Sequence, residues 1–232
     1  PLGGGIETTV AQQVNAYQML SNGGVYEKGY MIDSITDSTG EVIYQHKSKG
    51  VQVFTRATAS IMDNLLKEVV VKGATTQFYS ELKNVNGAAA SADWMGKTGT
   101  TDNFADAWLV VSTPGITLGG WAGYDANSKM GYTYNAQYMA RLTSAIYNAN
   151  PGIFKTGDKF NIDSSAIKAS VLKSTGLKPA TVSVNGRNVS VSGEMVDSYW
   201  AKNGPGDTIY KFAIGGTDSD YQKAWSSILG EH

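Results

Sequence analysis

With 232 residues, 41% of them hydrophobic and 17% charged, the chain has ordinary globular composition and enough length for one core or two. Its 19 basic and 20 acidic residues leave a formal net charge of -1 with no run of either sign, which excludes nucleic-acid binding through a basic stripe. The absence of cysteine excludes disulfides, thiolate nucleophiles and zinc–thiolate sites.

The two histidines, His46 and His232, lie far apart, so no metal is assigned, and no cofactor motif is present. No apolar run approaches the roughly 20 residues that cross a membrane; the strongest, residues 107–111, is strand-sized. The opening Pro1-Leu2-Gly3-Gly4-Gly5 has neither Met nor a signal-peptide pattern and reads as the start of a piece of a longer protein.

In chain order, Thr9 and Gln12 form a T-x-x-Q capping box. Val10, Val14, Tyr17 and Leu20 follow at helical spacing until Asn22-Gly23-Gly24 stops the helix. Between Tyr30 and Tyr44, two β-rich runs flank Asp37-Ser38-Thr39-Gly40 and predict a hairpin. Thr55 caps a second helix, ended by Gly73, whose expected buried stripe is Ile61, Met62, Leu65, Leu66, Val69 and Val70. Residues 75–91 are small, polar and poorly periodic, and are expected to form loop and short turns.

Three strand-like runs come next, at residues 94–100, 107–112 and 116–124. Pro114-Gly115 suggests a type II turn between the last two, and links this short favour an antiparallel meander. A helix over 136–150 should turn Met139, Leu142, Ala145, Ile146 and Ala149 inward. A second pattern then begins, so two domains are expected, 1–156 and 157–232. In the second, Asp163 is read as the cap of a short helix carrying Ile167, Val171 and Leu172. Residues 181–184 and 187–191 alternate around Asn185-Gly186, a strong hairpin signal. A strand over 208–214 leads to a last helix capped by Thr217 and Asp220, with Tyr221, Ala224, Trp225 and Ile228 buried.

Chemistry concentrates in Gly96-Lys97-Thr98-Gly99-Thr100-Thr101, on the first strand of the meander. Lys97 supplies a cation, and strand alternation puts the Thr98 and Thr100 hydroxyls on one face. Gly96 and Gly99 let another backbone come close, so an extended peptide can lie along this strand with its carboxylate near Lys97. A backbone N–H here can also meet a developing oxyanion. The competing P-loop reading needs a glycine where Ser91 stands, and fails. Glu68, Asp102 and Asp106 are weighed as acid–base groups and set aside as structural, as are most aromatic residues of the second domain.

Lys97-Thr98-Gly99 resembles the third signature of the serine penicillin-recognising enzymes, penicillin-binding proteins and β-lactamases. With Asp106-Ala107-Trp108 and Trp121-Ala122-Gly123-Tyr124-Asp125 after it, and the early helix ending near Asn22-Gly23, the chain to about Pro151 resembles class A, bifunctional penicillin-binding proteins. The remainder is similar to the small C-terminal module of some Gram-positive, streptococcal-like members.

The resemblance implies an α/β (α+β) fold: the C-terminal portion of the penicillin-binding/serine β-lactamase-like transpeptidase fold with its antiparallel sheet, plus a small α+β module. It implies that Lys97, Thr98, Gly99 and Thr100 bind the carboxylate of substrate or β-lactam. Lys97 also tunes the nucleophile, and the Thr100 N–H serves half of the oxyanion hole. The implied partners are peptidoglycan stem peptides, β-lactams and the remaining N-terminal part of the same domain. The implied location is the extracellular face of the cytoplasmic membrane, with an anchor upstream.

The family's S-x-x-K and S-x-N motifs are not found before Gly96 in the expected arrangement. Ser80 with Lys83, Ser165 with Lys168, Ser170 with Lys173, and Ser183-Val184-Asn185 imitate them at unsuitable places. The chain alone is therefore expected to lack the nucleophile and to be inactive. A β-lactamase-like hydrolase and a non-catalytic wall-binding or scaffolding module are the alternatives.

Overall fold

A computed structural model describes residues 7–73, 75–101, 104–126, 128–130, 135–212 and 215–231. Pro1-Leu2-Gly3-Gly4-Gly5, Asp102, Ile214 and His232, all named above, lie outside the described residues. Two compact units divide between Asp163 and Ser164.

In the first unit, α1 (Val10–Ser21) begins at the expected capping box, with Thr9 Oγ1 accepting from Gln12 N–H and Gln12 Oε1 accepting from Thr9 N–H. Strands β1 (Val25–Tyr26) and β4 (Val51–Gln52) pair antiparallel, and between them β2 (Ser34–Thr36) and β3 (Val42–Gln45) form the hairpin. Asp37 closes its turn by accepting from the Thr39 and Glu41 N–H groups.

Helix α2 (Arg56–Lys72) starts at Thr55 and ends at Gly73. Its buried face differs from the expected stripe: Ala59, Asp63, Leu66 and Val70 point inward, while Met62 and Leu65 are exposed. Leu66 and Val70 of the expected stripe are buried and Ile61 and Val69 half-buried, but the face is turned toward Ala59 and Asp63, and so contains a carboxylic acid. Residues 75–91 are not loop. They form α3 (Thr76–Val85) and α4 (Gly87–Ala90). Two side chains four apart, Phe78 and Leu82, are fully buried, and that narrow stripe holds α3 against a later helix.

The sheet is β5 (Met95–Thr100), β6 (Asp106–Ser112) and β7 (Thr117–Gly123), an antiparallel meander in that spatial order. The Pro114-Gly115 link is not a type II turn, since Gly115 lacks the required positive φ. Thr113 shapes it instead, with Oγ1 accepting from the Gly115 and Ile116 N–H groups.

Helix α5 (Asn135–Ala149) buries Met139, Ala140 and Thr143, with Leu142 and Ile146 partly covered; Ala145 and Ala149 are exposed. Helices approach both faces of the sheet at adjacent glycines of β7. A Cβ on Gly119 would strike Val14 of α1, and one on Gly120 would strike Met139 of α5. The core on the α5 side joins Phe78, Leu82, Trp94, Leu109, Val111, Met139 and Phe154, with edge-to-face contacts from Phe78 and Phe154 to Trp94.

After α5, a 3-10 turn (Pro151–Phe154) leads to a tail that stays with this unit beyond Gly157. Phe160 enters a cluster with Leu66 and Met95, its N–H donates to Asp93, and Asp163 N–H donates to Ser60 Oγ. Asp163 therefore caps no helix.

In the second unit, residues 167–172 form a strand, β8 (Ile167–Leu172), where a helix was expected. It pairs antiparallel with β11 (Met195–Trp200), a strand the sequence pattern did not suggest. The ladder partner decides the conformation of a short segment containing the β-branched Ile167 and Val171. β9 (Ala180–Val184) and β10 (Arg187–Val191) form the expected hairpin, with Asn185 and Gly186 both at positive φ.

Residues 208–212 make no strand; Thr208 instead bonds the Thr175 hydroxyl and the Lys178 carbonyl. Helix α6 (Asp218–Leu229) has the expected Thr217–Asp220 capping box. Its Tyr221 and Trp225 pack with Leu172, Val182, Val184, Val191 and Phe212. The Tyr221 hydroxyl and Trp225 indole donate to the Phe212 and Tyr210 carbonyls, so these aromatics are core residues with satisfied polar ends.

Two outcomes are expected. Leu82→Ala should cost about 2–5 kcal/mol in denaturant unfolding, since it empties the buried stripe of α3; a neutral effect would mean that α3 is not anchored there. Asp63 is 5% exposed, and burial pushes its carboxyl up from the usual range to about 7. Between about pH 4 and 7 the folded chain keeps a proton that the unfolded chain releases, so stability falls as pH rises through that window, by on the order of 4 kcal/mol. Asp63→Asn should flatten this dependence and leave the variant more stable than the parent at pH 8. Equal slopes in melts at pH 5 and pH 8 would refute it.

Candidate active-site strand

The site residues lie on β5, an edge strand: one side pairs with β6 and, among the described residues, the other pairs with no strand. Met95 and Gly96 are buried where α2 covers the beginning of the strand, Leu66 meeting Met95 and Val70 lying 3.4 Å from the Cβ position of Gly96. Beyond that cover, Lys97 and Thr100 are exposed, with Thr98 and Gly99 half-buried between them. The strand thus passes from core to surface along its own length.

Register fixes which groups face the open side. Lys97 pairs with Val110, Thr98 with Leu109, Gly99 with Trp108 and Thr100 with Ala107. Just past the strand, Thr101 N–H donates inward to the Asp106 carbonyl. Backbone groups alternate in direction along a strand, so the N–H and C=O of Thr98 and Thr100 point to the open edge. Consistently, the Lys97 ammonium bends over that edge and donates to the Thr98 carbonyl at 2.8 Å. Its charge meets no carboxylate among the described residues.

Alternation puts the Thr98 and Thr100 side chains on one face and those of Lys97 and Gly99 on the other. A Cβ on Gly99 would sit 3.2 Å from Trp108 Cβ, and the Trp108 ring lies 6.5 Å from that of Trp121. The open edge therefore carries the outward N–H groups of Thr98 and Thr100 and the Lys97 ammonium, which reaches it from one face, while the two threonine hydroxyls lie on the other face. Such an edge can accept an extended peptide as an added strand and hold its carboxylate.

The imitation motifs stand elsewhere. Ser80 and Lys83 are exposed on α3, away from the buried stripe. Lys168 and Lys173 are paired with Asp197 and Glu194 in the second unit, and Ser183 lies on β9 ahead of the Asn185-Gly186 turn. Among the described residues, no group of three His, Asp or Glu side chains is placed to hold a metal.

Two acids stand out: Asp106, read above as structural, and Asp63, which the residue pattern does not single out. Asp106 ties three strands together: Oδ2 accepts from the Thr101 hydroxyl at 2.9 Å, and Oδ1 from the Trp121 indole at 2.8 Å. Asp63 lines a cleft of about 180 Å³ with Arg56, Lys159, Asp163 and others. Its signal was helical spacing from Ala59 and Leu66, on the apolar side.

Comparison with known proteins agrees with this geometry. The family model described as the penicillin binding protein transpeptidase domain matches residues 1–107. The chain is 35% identical over 144 residues to penicillin-binding protein 1F of Bacillus subtilis, covering 60% of this chain and 19% of that protein. It is 34% identical over 128 residues to penicillin-binding protein 1A of Aquifex aeolicus, covering 55% and 16%. The crystal structure of penicillin-binding protein 1A from Haemophilus influenzae superposes with a TM-score of 0.61 at 18% identity, covering 87% of this chain and 33% of that one, a likeness of fold. The chain thus spans less than a fifth of the length of these curated relatives. Residues 1–107 are similar to the penicillin binding protein transpeptidase domain, and the chain has the penicillin-binding fold of mixed helices and antiparallel sheet.

Proposed function

We propose that this chain supplies the substrate-binding strand of a peptidoglycan D,D-transpeptidase, a serine acyl transferase of the outer face of the cytoplasmic membrane. The observation that carries the reading is the open edge of β5, where Lys97, Thr98 and Thr100 converge on a strand of the matched domain.

The stem peptide lies along that edge, and its terminal carboxylate is held by Lys97 and the Thr98 and Thr100 hydroxyls. A serine Oγ attacks the penultimate D-alanine carbonyl and gives up its proton to a neighbouring base. The carbonyl oxygen gains charge as the tetrahedral centre forms, and the outward N–H of Thr100 donates to it. Collapse expels D-alanine, which takes a proton, and leaves the acyl-serine. An amine from a second stem peptide then attacks, transfers the acyl group and frees the serine. A β-lactam follows the first half of this path, its ring amide opening on the same serine. On this reading the serine belongs to a segment that precedes these residues, since S-x-x-K and S-x-N are not found before Gly96 in the family's arrangement.

Labelling with a fluorescent penicillin tests this. The 232-residue chain alone should take no covalent label, whereas the longer protein that contains it should label on serine. Lys97→Ala in the longer protein should slow labelling by on the order of 10²-fold or more, since it removes the cation facing the reacting carboxylate and nucleophile. Covalent label on the chain alone, or undiminished labelling of the variant, would overturn the assignment.

A further inference from the structure

The Asp106 carboxylate does a job that no motif role accounts for. In an unbroken ladder, Asp106 N–H would meet the Thr101 carbonyl, but that carbonyl accepts from Phe104 N–H at 3.1 Å. Asp106 N–H goes to the Thr101 hydroxyl instead, at 2.9 Å. The same hydroxyl donates back to Asp106 Oδ2, also at 2.9 Å. Among the described residues, the other link at this level is Thr101 N–H to the Asp106 carbonyl, at 3.2 Å. The second carboxylate oxygen is taken by Trp121, from β7.

One side chain therefore joins the end of β5, the start of β6 and the middle of β7. It does so one residue beyond Thr100, where β5 pairs with no strand on its outer side among the described residues. An oxyanion donor works only if it is held in place before charge develops. An edge strand that ends at Thr100 has no second ladder to hold it.

We infer that Asp106 is a positioning residue: through Thr101 it fixes the outward Thr100 N–H, and through Trp121 it is itself fixed. This rests on the transpeptidase reading above. Asp106 need touch no reacting atom. Its effect belongs to the transition state, where the Thr100 donor is used, and not to initial binding, which depends on Lys97 and the two hydroxyls.

The test is made in the longer protein that contains this chain, by following penicillin acylation across penicillin concentrations. Asp106→Ala and Thr101→Val should each lower the maximal acylation rate by roughly tenfold to a hundredfold. The half-saturating concentration should change by less than about threefold. Asp106→Asn, whose amide oxygen can still accept one of the two bonds, should recover part of the rate. In the 232-residue chain itself, Asp106→Ala should speed amide exchange at Thr101 while leaving Leu109 and Val111 protected.

Unchanged acylation in both Asp106→Ala and Thr101→Val would overturn the inference and leave the transpeptidase reading standing. So would a fall in rate matched by a rise in half-saturation and a lower melting temperature, which marks general loss of structure. Should Asp106→Ala fail to fold, Thr101→Val, which exchanges one hydroxyl for a methyl, decides alone. A parent protein that takes no label overturns the transpeptidase reading itself.

Discussion

A strand with one open side can be held only from its other side and its faces, and β5 is built under that constraint. Its inner ladder to β6 runs unbroken from Met95 to Thr100. Its outer side is covered at the beginning by α2, through Leu66 and Val70, and then left open. Open strand edges invite unwanted pairing, and a lysine is a common defence. Lys97 fits that role physically, because its ammonium sits on the Thr98 carbonyl, one of the groups a passing strand would seek. Under the proposed function, an arriving peptide with a carboxylate exchanges that internal bond for an ion pair. A peptide without one finds the carbonyl occupied. Selectivity for a C-terminal carboxylate then follows from the same side chain that protects the edge.

Rigidity behind the edge comes from packing on both faces. Gly119 and Gly120 are neighbours on β7 and point oppositely, so α1 and α5 come close to the sheet at one level. On the α5 side the aromatic cluster around Trp94 locks α3, α4 and the Pro151–Phe154 turn together, with the Trp94 indole donating to the Ala89 carbonyl. On the α1 side, Met95 at the root of β5 meets Leu66, Phe160, Tyr17 and Leu20. A half-buried Lys67–Asp93 pair fastens α2 to the tail, because Asp93 also accepts from Phe160 N–H. Removing either partner strands the other charge in a partly dry place, which costs more than the pair contributes.

Much of this was legible in the residues. Helix ends with a side-chain signature were placed well, because capping is local chemistry: Thr9 with Gln12, Thr55, and Thr217 with Asp220 all stand where the sequence put them. So do the Asn185-Gly186 hairpin and the three-strand meander with Lys97, Thr98 and Thr100 on its first strand. Failures share one cause, a dependence on distant partners. Helix α3 shows only Phe78 and Leu82 to the core, too few for periodicity to register in a polar segment. β8 is a strand because β11 lies beside it, and nothing local announces β11. The inward face of α2 was misjudged because Asp63 sits where an apolar residue was expected.

Asp63 and Asp106 are opposite solutions to placing a carboxylate near a sheet. Asp106 has donors on both oxygens, supplied by Thr101 and Trp121. Asp63 is more deeply buried, and its Oδ1 has no partner in the described structure. Burial without donors favours the neutral acid, which is the direction in which its ionisation is moved. The difference matters to the site because α2 carries Asp63 and also covers the root of β5 through Leu66 and Val70. Charge appearing on Asp63 loads the inner face of that helix, next to the Ser60–Asp163 bond that holds the tail. Asp106, whose two oxygens both have donors, places no such load on the far end of the strand. The two ends of β5 are therefore built differently: the root is sensitive to pH near neutrality through Asp63, and the exposed end is tied by a carboxylate with donors on both oxygens.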